Sequence, residues 1–346
     1  MTFYDNDSYP HGPSSGLPVI TALWHMKSML NRRSLMLSAP AILVASPGRA
    51  QDAFDAFVAG VKAEARRAGI RDATLQSAFA GVQPNPRVIE LDRKQPEFTL
   101  TWPEYRARVL PDTRIQAARD NYARERGLLA QVQQRYGVDP GVVMGIWGIE
   151  SSFGANKGNY RLVEALSTLA FEGRRAAYFR SELINALRIL DAGDVTPAQM
   201  TGGWAGAMGQ PQFMPSSYLK LAVDFDGDGR RDIWNNKADV FGSIANYLAK
   251  SGWRPGEPWG QAVRVPPGTF GGRETKRSLG EWMRAGVTRD DGNPFARPEP
   301  VGALVTPDGI APGEGYMVYA NFGAIRRYNP SDFYALAVGL LGDAAV

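Results

Sequence analysis

Glu150 is the residue of this chain best suited to do chemistry. It lies near the end of the segment 138–154 (VDPGVVMGIWGIESSFG), among Ile146, Trp147 and Ile149. Apolar surroundings disfavour a charged carboxylate, so we expect the pKa of Glu150 to be raised. A carboxylic acid that stays protonated near neutral pH can give a proton to a leaving oxygen, as in glycoside cleavage. The alternative is an ordinary exposed glutamate at a helix end.

The residues around Glu150 predict the helix that must position it. Asp139 can cap this helix, and Pro140 suits the first helical position. Apolar residues recur at helical spacing from Val142 to Ile149, which predicts a buried face. Gly154 is expected to end the helix or to turn the chain just beyond it.

A second pattern, in residues 224–235 (DFDGDGRRDIWN), indicates a metal loop. Aspartates at alternate positions with Gly229 at position six are typical of the first half of an EF-hand calcium loop. Asn235 occupies position twelve, where the pattern requires glutamate, and Asp239 is expected to supply the missing carboxylate. The predicted ligands of a structural Ca²⁺ are Asp224, Asp226, Asp228, Arg230, Asp232 and Asp239. The alternative is a solvated acidic turn.

Two further segments carry side chains suited to sugars, residues 202–215 (GGWAGAMGQPQFMP) and 321–334 (NFGAIRRYNPSDFY). Flat apolar faces stack on sugar rings, and amides bond to hydroxyl and acetamido groups. We expect the aromatic and methionine side chains of the first segment to be exposed, although a packed irregular loop would fit too. In the second segment, Phe333 fits a core position as well as a sugar-binding one, whereas Tyr328 and Asn329 fit a core position less well.

Composition narrows the possible chemistry. The chain has 346 residues, no cysteine and only two histidines, His11 and His25, both near the N-terminus. Disulfides, a cysteine nucleophile, lipidation at an N-terminal cysteine and a histidine-based triad in the body are therefore excluded. A net charge of +4 suits an anionic polymer or surface, but no dense basic stripe indicates nucleic acid.

The first 50 residues resemble an export signal. A basic group at 31–33 precedes a short apolar run at 34–46, which is too short to span a bilayer. The arginine pair suggests the twin-arginine route. Cleavage is expected after Ala50, and the alternative is an uncleaved anchor. We expect a soluble periplasmic protein that is not a lipoprotein and has no stable membrane anchor.

Helical periodicity dominates the rest of the chain. A stretch rich in proline and glycine after residue 253 predicts short strands instead. The expected helices span 73–79, 114–136, 162–170, 175–191, 239–251 and 331–341, the expected strands 262–265 and 316–319, and residues 84–103 are expected to be irregular. The predicted units are a targeting segment (1–50), an N-terminal helical lobe (51–137), a catalytic core with the calcium loop (138–253), a small β-containing lobe (254–319) and the C-terminal part of the core (320–346).

Several long motifs, in this order, resemble those of the family B lytic murein transglycosylases, periplasmic enzymes that cleave peptidoglycan. They are GIESSFG (148–154), ALSTLAFEGRRAAYF (165–179), AGAMGQPQFMPSSY (205–218), VDFDGDGRRDIW (223–234), GSIANYLAKSGW (242–253) and NFGAIRRYNPSDFYALAV (321–338). The resemblance implies a mainly α (α+β) fold, with a goose-lysozyme-like helical core, an N-terminal helical lobe and a small β-containing lobe.

The resemblance also implies that Glu150 is a single catalytic acid and base. It would protonate the oxygen between N-acetylmuramic acid and N-acetylglucosamine, then take a proton from the muramoyl 6-hydroxyl, leaving a 1,6-anhydromuramoyl end. No second carboxylate is obvious near Glu150 in the sequence, whereas ordinary glycosidases use two. The implied substrate-binding residues are Tyr105, Arg174, Arg175, Gln212, Phe213, Tyr247, Tyr328, Asn329 and Tyr334. The aspartates named above fall on the family's calcium loop.

One departure from the family concerns Gly203, which stands where the family commonly has a serine that bonds to the catalytic glutamate. Neither a lipid-bearing cysteine nor a C-terminal wall-binding module is evident. We therefore expect a monomer whose partner is the peptidoglycan glycan strand, bound through the cleft, with no cofactor for catalysis. The alternatives are a hydrolytic muramidase and an inactive peptidoglycan-binding scaffold.

Overall fold

The computed structural model describes residues 47–94, 100–172, 174–269, 271–307 and 313–346. The predicted targeting segment lies outside these residues, except for 47–50, which begin the first helix. Within the described ranges, no helix combines the length and the apolar character needed to cross a membrane.

The N-terminal part of the described chain is helical, as expected. Its helices are α1 (Pro47–Arg67), α2 (Asp72–Ala78), α3 (Pro86–Arg93), α4 (Trp102–Val109) and α5 (Asp112–Tyr136). The expectation of an irregular stretch at 84–103 was wrong over α3 and at residues 102–103, where α4 begins. Pro86 lies in the first turn of that helix, where its missing N–H is not needed, and the Asn85 side chain accepts from the N–H groups of Arg87 and Val88.

The core follows with α6 (Pro140–Ser151), β1 (Tyr160–Arg161), α7 (Leu162–Glu172), α8 (Ala176–Ala192), β2 (Thr201–Gly202), α9 (Pro215–Leu221) and α10 (Lys237–Lys250). The expected helix at 162–170 lies within α7, and those at 175–191 and 239–251 are confirmed as α8 and α10 except for one residue each, Arg175 before α8 and Ser251 after α10. Helix α6 is buried on nearly all sides between residues 141 and 148. Such a helix belongs in the centre of a fold, which gives the residues at its end a fixed position.

A small antiparallel sheet with its own apolar core follows, built from β3 (Gly260–Val265), β4 (Lys276–Ser278), β5 (Thr288–Arg289), β6 (Val301–Val305) and β7 (Gly313–Val318) in the order β4-β6-β7-β3-β5. Helix α11 (Leu279–Arg284) packs its Trp282 into that core. The expected strand at 262–265 lies within β3. The other, at 316–319, extends one residue past β7, because Tyr319 already precedes the next helix.

The chain returns to the core through α12 (Ala320–Tyr328) and α13 (Asp332–Ala345). Helix α13 runs antiparallel to α6 at very short range. A Cβ atom built on Gly145 would lie 2.3 Å from the carbonyl oxygen of Val338, and one built on Gly141 would lie 2.8 Å from that of Gly342. Only glycine lets two helices approach this closely, so these residues set the distance between α6 and α13.

Candidate active site

Glu150 is the second-last residue of α6 and is half-buried, which contradicts the alternative of an ordinary exposed glutamate. The start of the helix is as predicted, with the Asp139 carboxylate accepting from the N–H of Gly141 at 2.7 Å. At the other end, Ser152, Phe153 and Gly154 all adopt left-handed conformations, with φ of 49°, 59° and 82°. Gly154 therefore turns the chain beyond the helix, the second of the two options expected.

Tyr334 holds the carboxylate of Glu150 from α13. Its hydroxyl donates to Oε1 of Glu150 at 2.7 Å, and its side chain is only 1% exposed. Because a buried tyrosine has few other rotamers available, this bond fixes one carboxylate oxygen in space. The expected rise in the pKa of Glu150 stays a prediction.

Tyr105 approaches Glu150 from α4. Burial raises the pKa of Tyr105 to about 12, and the negative charge of Glu150 adds to the shift. Its ring stacks on Trp102 with centroids 6.1 Å apart and contacts Phe333 at 5.5 Å. The phenol is therefore neutral at physiological pH and keeps a proton to donate.

A cavity opens beside the carboxylate. The described residues that line it are Glu150, Arg175, Tyr178, Phe179, Ala205, Ala207, Gln212, Met214, Tyr328 and Asn329. Glu150 is the one carboxylate among them. Four of the nine residues expected to bind substrate line this cavity: Arg175, Gln212, Tyr328 and Asn329. The other five do not line it: Tyr105, Arg174, Phe213, Tyr247 and Tyr334.

The glycine-rich segment 202–215 forms one wall, and of its large apolar side chains only Met214 lines the cavity, while the other three point inwards. Trp204, Met208 and Phe213 are at most 2% exposed, so the expectation that they are exposed was wrong. Backbone bridges from Met208 to Gly202 and to Phe213 fold the segment tightly, and burying these side chains stabilises the irregular backbone. Phe213 thus lies beneath the cavity, against Tyr247 and Tyr328 at 5.6 and 5.8 Å.

Of the two glutamines in the same segment, one is buried in the wall and the other reaches the cavity. Gln210 is 6% exposed, accepts from Nε1 of Trp147 at 2.7 Å and donates to the carbonyl of Trp234 at 2.9 Å. Gln212 reaches the cavity from a left-handed backbone with φ of 53° and donates to the carbonyl of Gly209 at 2.8 Å. A Cβ on Gly203 would lie 3.5 Å from Oε1 of Gln212, so a side chain fits there.

Tyr328 and Asn329, at the end of α12, are each 3% exposed, whereas Phe333 is only half-buried. This reverses the expectation that Phe333 was the better core candidate. The Tyr328 hydroxyl donates to the carbonyl of Pro211 at 2.5 Å, and its ring lies 4.6 Å from that of Tyr247. The backbone carbonyl of the glycine-rich wall satisfies the phenol, which is what allows this tyrosine to be buried.

The paired arginines sit where α3 meets α8. Arg175 donates to Asp92 at 3.3 Å, and its guanidinium lies 4.9 Å from the centre of the Phe179 ring. Arg174 is more exposed, with Nε 3.7 Å from the other Asp92 oxygen. Asp92 therefore anchors both arginines, but only Arg175 lines the cavity.

Tyr178 also lines the cavity, although it was not among the residues expected to bind substrate. The signal that was available is its position in the first turn of α8, three residues after Arg175, which is the N-cap residue of that helix.

The acidic loop forms a compact cluster away from the cavity. One carboxylate oxygen from each of Asp224, Asp226, Asp228 and Asp239 lies within 4.8 Å of the others. Calcium binds oxygen at 2.3–2.6 Å, so ligands on opposite sides of an ion lie about 5 Å apart, and the cluster fits such an ion. Left-handed conformations at Gly227 and Gly229 (φ of 79° and 91°) shape the loop.

Asp239 ties this loop to α10. Its buried carboxylate accepts from the N–H groups of Phe225 and Asp232, both at 2.7 Å. Burial, with the charges of Asp226 and Asp224, raises the pKa of Asp239 to about 6. Repulsion of this kind is relieved by a bound cation.

Two of the expected metal ligands differ from the others. The Asp232 carboxylate lies outside the cluster and accepts from the N–H groups of Trp234 and Asn235, both at 2.9 Å. The backbone N–H of Arg230 donates to Asp228 at 2.9 Å, which places Arg230 in the loop without testing its carbonyl as a ligand.

Comparisons with known proteins agree with this geometry. Residues 53–343 match the family model described as Transglycosylase SLT domain. Over 248 residues the chain is 36% identical to the membrane-bound lytic murein transglycosylase B of Escherichia coli (strain K12), covering 70% of this chain and 67% of that protein.

Solved structures agree as well. The fold is similar to that of SltB3 from Pseudomonas aeruginosa in complex with NAG-anhNAM-pentapeptide, with a TM-score of 0.81, 43% identity and coverage of 84% of this chain and 79% of that one. It is also similar to the Escherichia coli lytic transglycosylase Slt35 in complex with calcium, with a TM-score of 0.71, 32% identity and coverage of 85% and 93%. The predicted lysozyme-like, mainly helical fold is confirmed, and the chain belongs to the lytic transglycosylase family.

Proposed function

We propose that this protein cleaves the β-1,4 bond between N-acetylmuramic acid and N-acetylglucosamine in peptidoglycan without water, with Glu150 as acid and then base. The observation that carries the proposal is that Glu150 is the one carboxylate among the described lining residues, and that Tyr334 holds it. Hydrolytic glycosidases use a second carboxylate as base or nucleophile. A single carboxylate suffices when a hydroxyl of the substrate takes the place of water.

The reaction needs no reactant other than the substrate. Protonated Glu150 gives its proton to the glycosidic oxygen as the bond to the muramoyl anomeric carbon breaks. The resulting carboxylate then takes the proton of the 6-hydroxyl, whose oxygen bonds to that carbon. Glu150 ends protonated, and Tyr334 keeps the carboxylate oriented through both proton transfers.

The similar SltB3 structure, in complex with NAG-anhNAM-pentapeptide, supports this product class. The polar groups of Arg175, Gln212 and Asn329 around the cavity match the hydroxyl, acetamido and carboxylate groups of such a strand. Tyr105 and Tyr334 adjoin Glu150, whereas Tyr247, Tyr328 and Phe213 support the wall.

The test is mass spectrometry of muropeptides released from purified sacculi by residues 51–346. We expect anhydromuramoyl products, and none from the Glu150→Gln variant. The matched control is Glu257→Gln, which changes a partly exposed glutamate that pairs with Arg254 outside the cavity. Reducing muramoyl ends would instead indicate a hydrolase. No product with sacculus binding intact would indicate a scaffold.

A structural Ca²⁺ is the second part of the proposal, held by Asp224, Asp226, Asp228 and Asp239. The geometry of the cluster and the calcium complex of Slt35 support it. Bound there, Ca²⁺ would neutralise the carboxylates and join the loop to α10.

We place the protein in the periplasm, exported by residues 1–50. The support is the basic group and apolar run of the sequence, together with a wall substrate that lies outside the cytoplasm. Fusing residues 1–50 to a reporter, with and without Arg32→Lys and Arg33→Lys, tests the signal and the twin-arginine route together. Reporter retained in the cytoplasm by the unaltered segment contradicts the export signal.

A further inference from the structure

A groove lies between the small sheet and α12, outside the catalytic cavity. It consists of two adjoining cavities of about 700 and 560 Å³, which share Arg254, Val301, Tyr319 and Ala320. We call these two cavities together the lobe groove. Among the described residues, none that lines the lobe groove also lines the cavity of Glu150, so the proposed proton transfers leave this groove without a role.

The lobe groove is basic. Its described lining residues include seven arginines or lysines and only two glutamates. Four of these cations have carboxylate partners: Arg254, Arg273, Arg289 and Arg326. The other three, Lys276, Arg297 and Arg327, are exposed and have no carboxylate partner within the described part of the chain. The lobe groove therefore retains positive charge that an anionic ligand could neutralise.

Apolar side chains lie between the charges. Val301 on β6 is 58% exposed and lines both cavities, while Leu279 and Phe295, which are 4% and 6% exposed, line one of them from below. A single exposed valine would need no explanation, but this one lies in a concave surface rimmed by cations. Such a surface suits a narrow chain that carries both carboxylates and small apolar groups, and a flat membrane surface would not enter it.

Helix α12 connects the lobe groove with the catalytic cavity. It begins at Ala320, where the two parts of the groove meet, and Arg326 and Arg327 near its other end also line the groove. The next two residues, Tyr328 and Asn329, line the catalytic cavity. The helix has nine residues and is about 13 Å long, a distance that an extended peptide covers in about four residues. A short peptide attached to a ligand in the catalytic cavity can therefore reach the lobe groove.

The peptide stems of peptidoglycan have the matching chemistry. They are attached to the muramoyl sugar, and they carry carboxylates along the chain and at its end, with alanine methyl groups between them. We propose that the lobe groove binds a peptide stem of the glycan strand, with Lys276, Arg297 and Arg327 pairing with its carboxylates and Val301 packing against its methyl groups. This inference rests on the proposed function, since it takes a peptidoglycan strand as the ligand.

The test compares two ligands in the Glu150→Gln background, where binding is measured without turnover. The ligands are short glycan strands that carry their stems and the same strands stripped of stems by an amidase. Calorimetry should give the stem-bearing strands a Kd about tenfold lower, and the double variant Lys276→Glu with Arg297→Glu should abolish this advantage. The matched control is Arg67→Glu with Arg126→Glu. It reverses two exposed arginines that line neither the groove nor the catalytic cavity, and it should keep the advantage.

Three outcomes would overturn the stem as the ligand of the lobe groove. The first is an equal Kd for the two ligands in the Glu150→Gln protein. The second is an equal loss of the advantage in the control, which would assign it to net charge. The third is a double variant that weakens both ligands to the same extent, because the groove would then not distinguish strands with stems from strands without them.

A second readout separates this inference from the proposed function. With Glu150 present, the double variant should still release anhydromuramoyl products from stem-free strands at the wild-type rate, because Lys276 and Arg297 do not line the catalytic cavity. Absence of anhydromuramoyl products from the wild type instead contradicts the proposed function, and the comparison of Kd values still decides what the lobe groove binds.

Discussion

The bond from Tyr334 to Glu150 can be removed while the tyrosine ring stays in place. Tyr334→Phe deletes only the hydroxyl that donates to Oε1 at 2.7 Å, in a side chain that is 1% exposed. Hydrogen bonds to charged groups contribute about 1.5–3 kcal/mol, which corresponds to a rate loss of about 10- to 150-fold. Glu150 is half-buried, so water can partly replace the phenol. We therefore expect the lower end, about tenfold.

The assay is the initial rate of anhydromuropeptide release from sacculi, with the melting temperature measured in parallel. The matched control is Tyr218→Phe, because the Tyr218 side chain is fully buried and its hydroxyl donates to the carbonyl of Arg231 at 2.6 Å. Tyr218 does not line the cavity, so its variant should lose stability but not rate. Wild-type rates in a folded Tyr334→Phe variant would refute the orienting role. An equal rate loss in Tyr218→Phe would show that the loss comes from a general decrease in stability and not from the missing bond to Glu150.

Three further predictions concern the metal loop and two glycines. Calcium at about 100 times its Kd should add about 2.7 kcal/mol to the free energy of unfolding, which corresponds to a rise in melting temperature of about 5–10 °C. The Asp226→Ala variant should lose this rise. Equal melting temperatures of the wild type with calcium and with chelator would contradict the site. The Gly203→Ser variant should fold normally, because a Cβ there lies no closer than 3.5 Å to Gln212. Its turnover should rise by at most about tenfold if the serine hydroxyl reaches Glu150. A turnover below that of the wild type would contradict this prediction. The Gly145→Ala variant should lower the free energy of unfolding by about 1–3 kcal/mol, because the new Cβ would lie 2.3 Å from the Val338 carbonyl oxygen. An unchanged melting temperature would show that α6 and α13 can move apart without cost.

Features encoded by a few neighbouring residues could be predicted from the sequence. The cap at Asp139 and the turn at Gly229 both follow from local rules, because a short side chain or a missing Cβ acts on adjacent backbone. The cluster of carboxylates at Asp224, Asp226 and Asp228 follows from their alternate spacing. Asp239 was expected because position twelve lacks the usual glutamate, and the structure places Asp239 with the other three aspartates.

Features that depend on tertiary packing could not be predicted in the same way. Phe213 was expected at the substrate, but its ring lies beneath the wall, because composition does not reveal which side of an irregular segment faces the core. Tyr178 was not singled out, because its exposure follows from the cavity that α8 borders. The same holds for Asp92, which anchors both arginines from α3, more than 80 residues earlier in the chain.

The meeting of Glu150 and Tyr334 follows from the register of two antiparallel helices. Gly141 contacts Gly342, and four residues further along α6, Gly145 contacts Val338, four residues back along α13. Another four-residue step reaches Tyr334 on α13 and Ile149 on α6, the neighbour of Glu150. Each step advances about 6 Å along the axis, so the glycine contacts fix both the spacing and the alignment of Glu150 and Tyr334. Glycines with no chemistry of their own thus determine the position of the carboxylate that we propose as both acid and base.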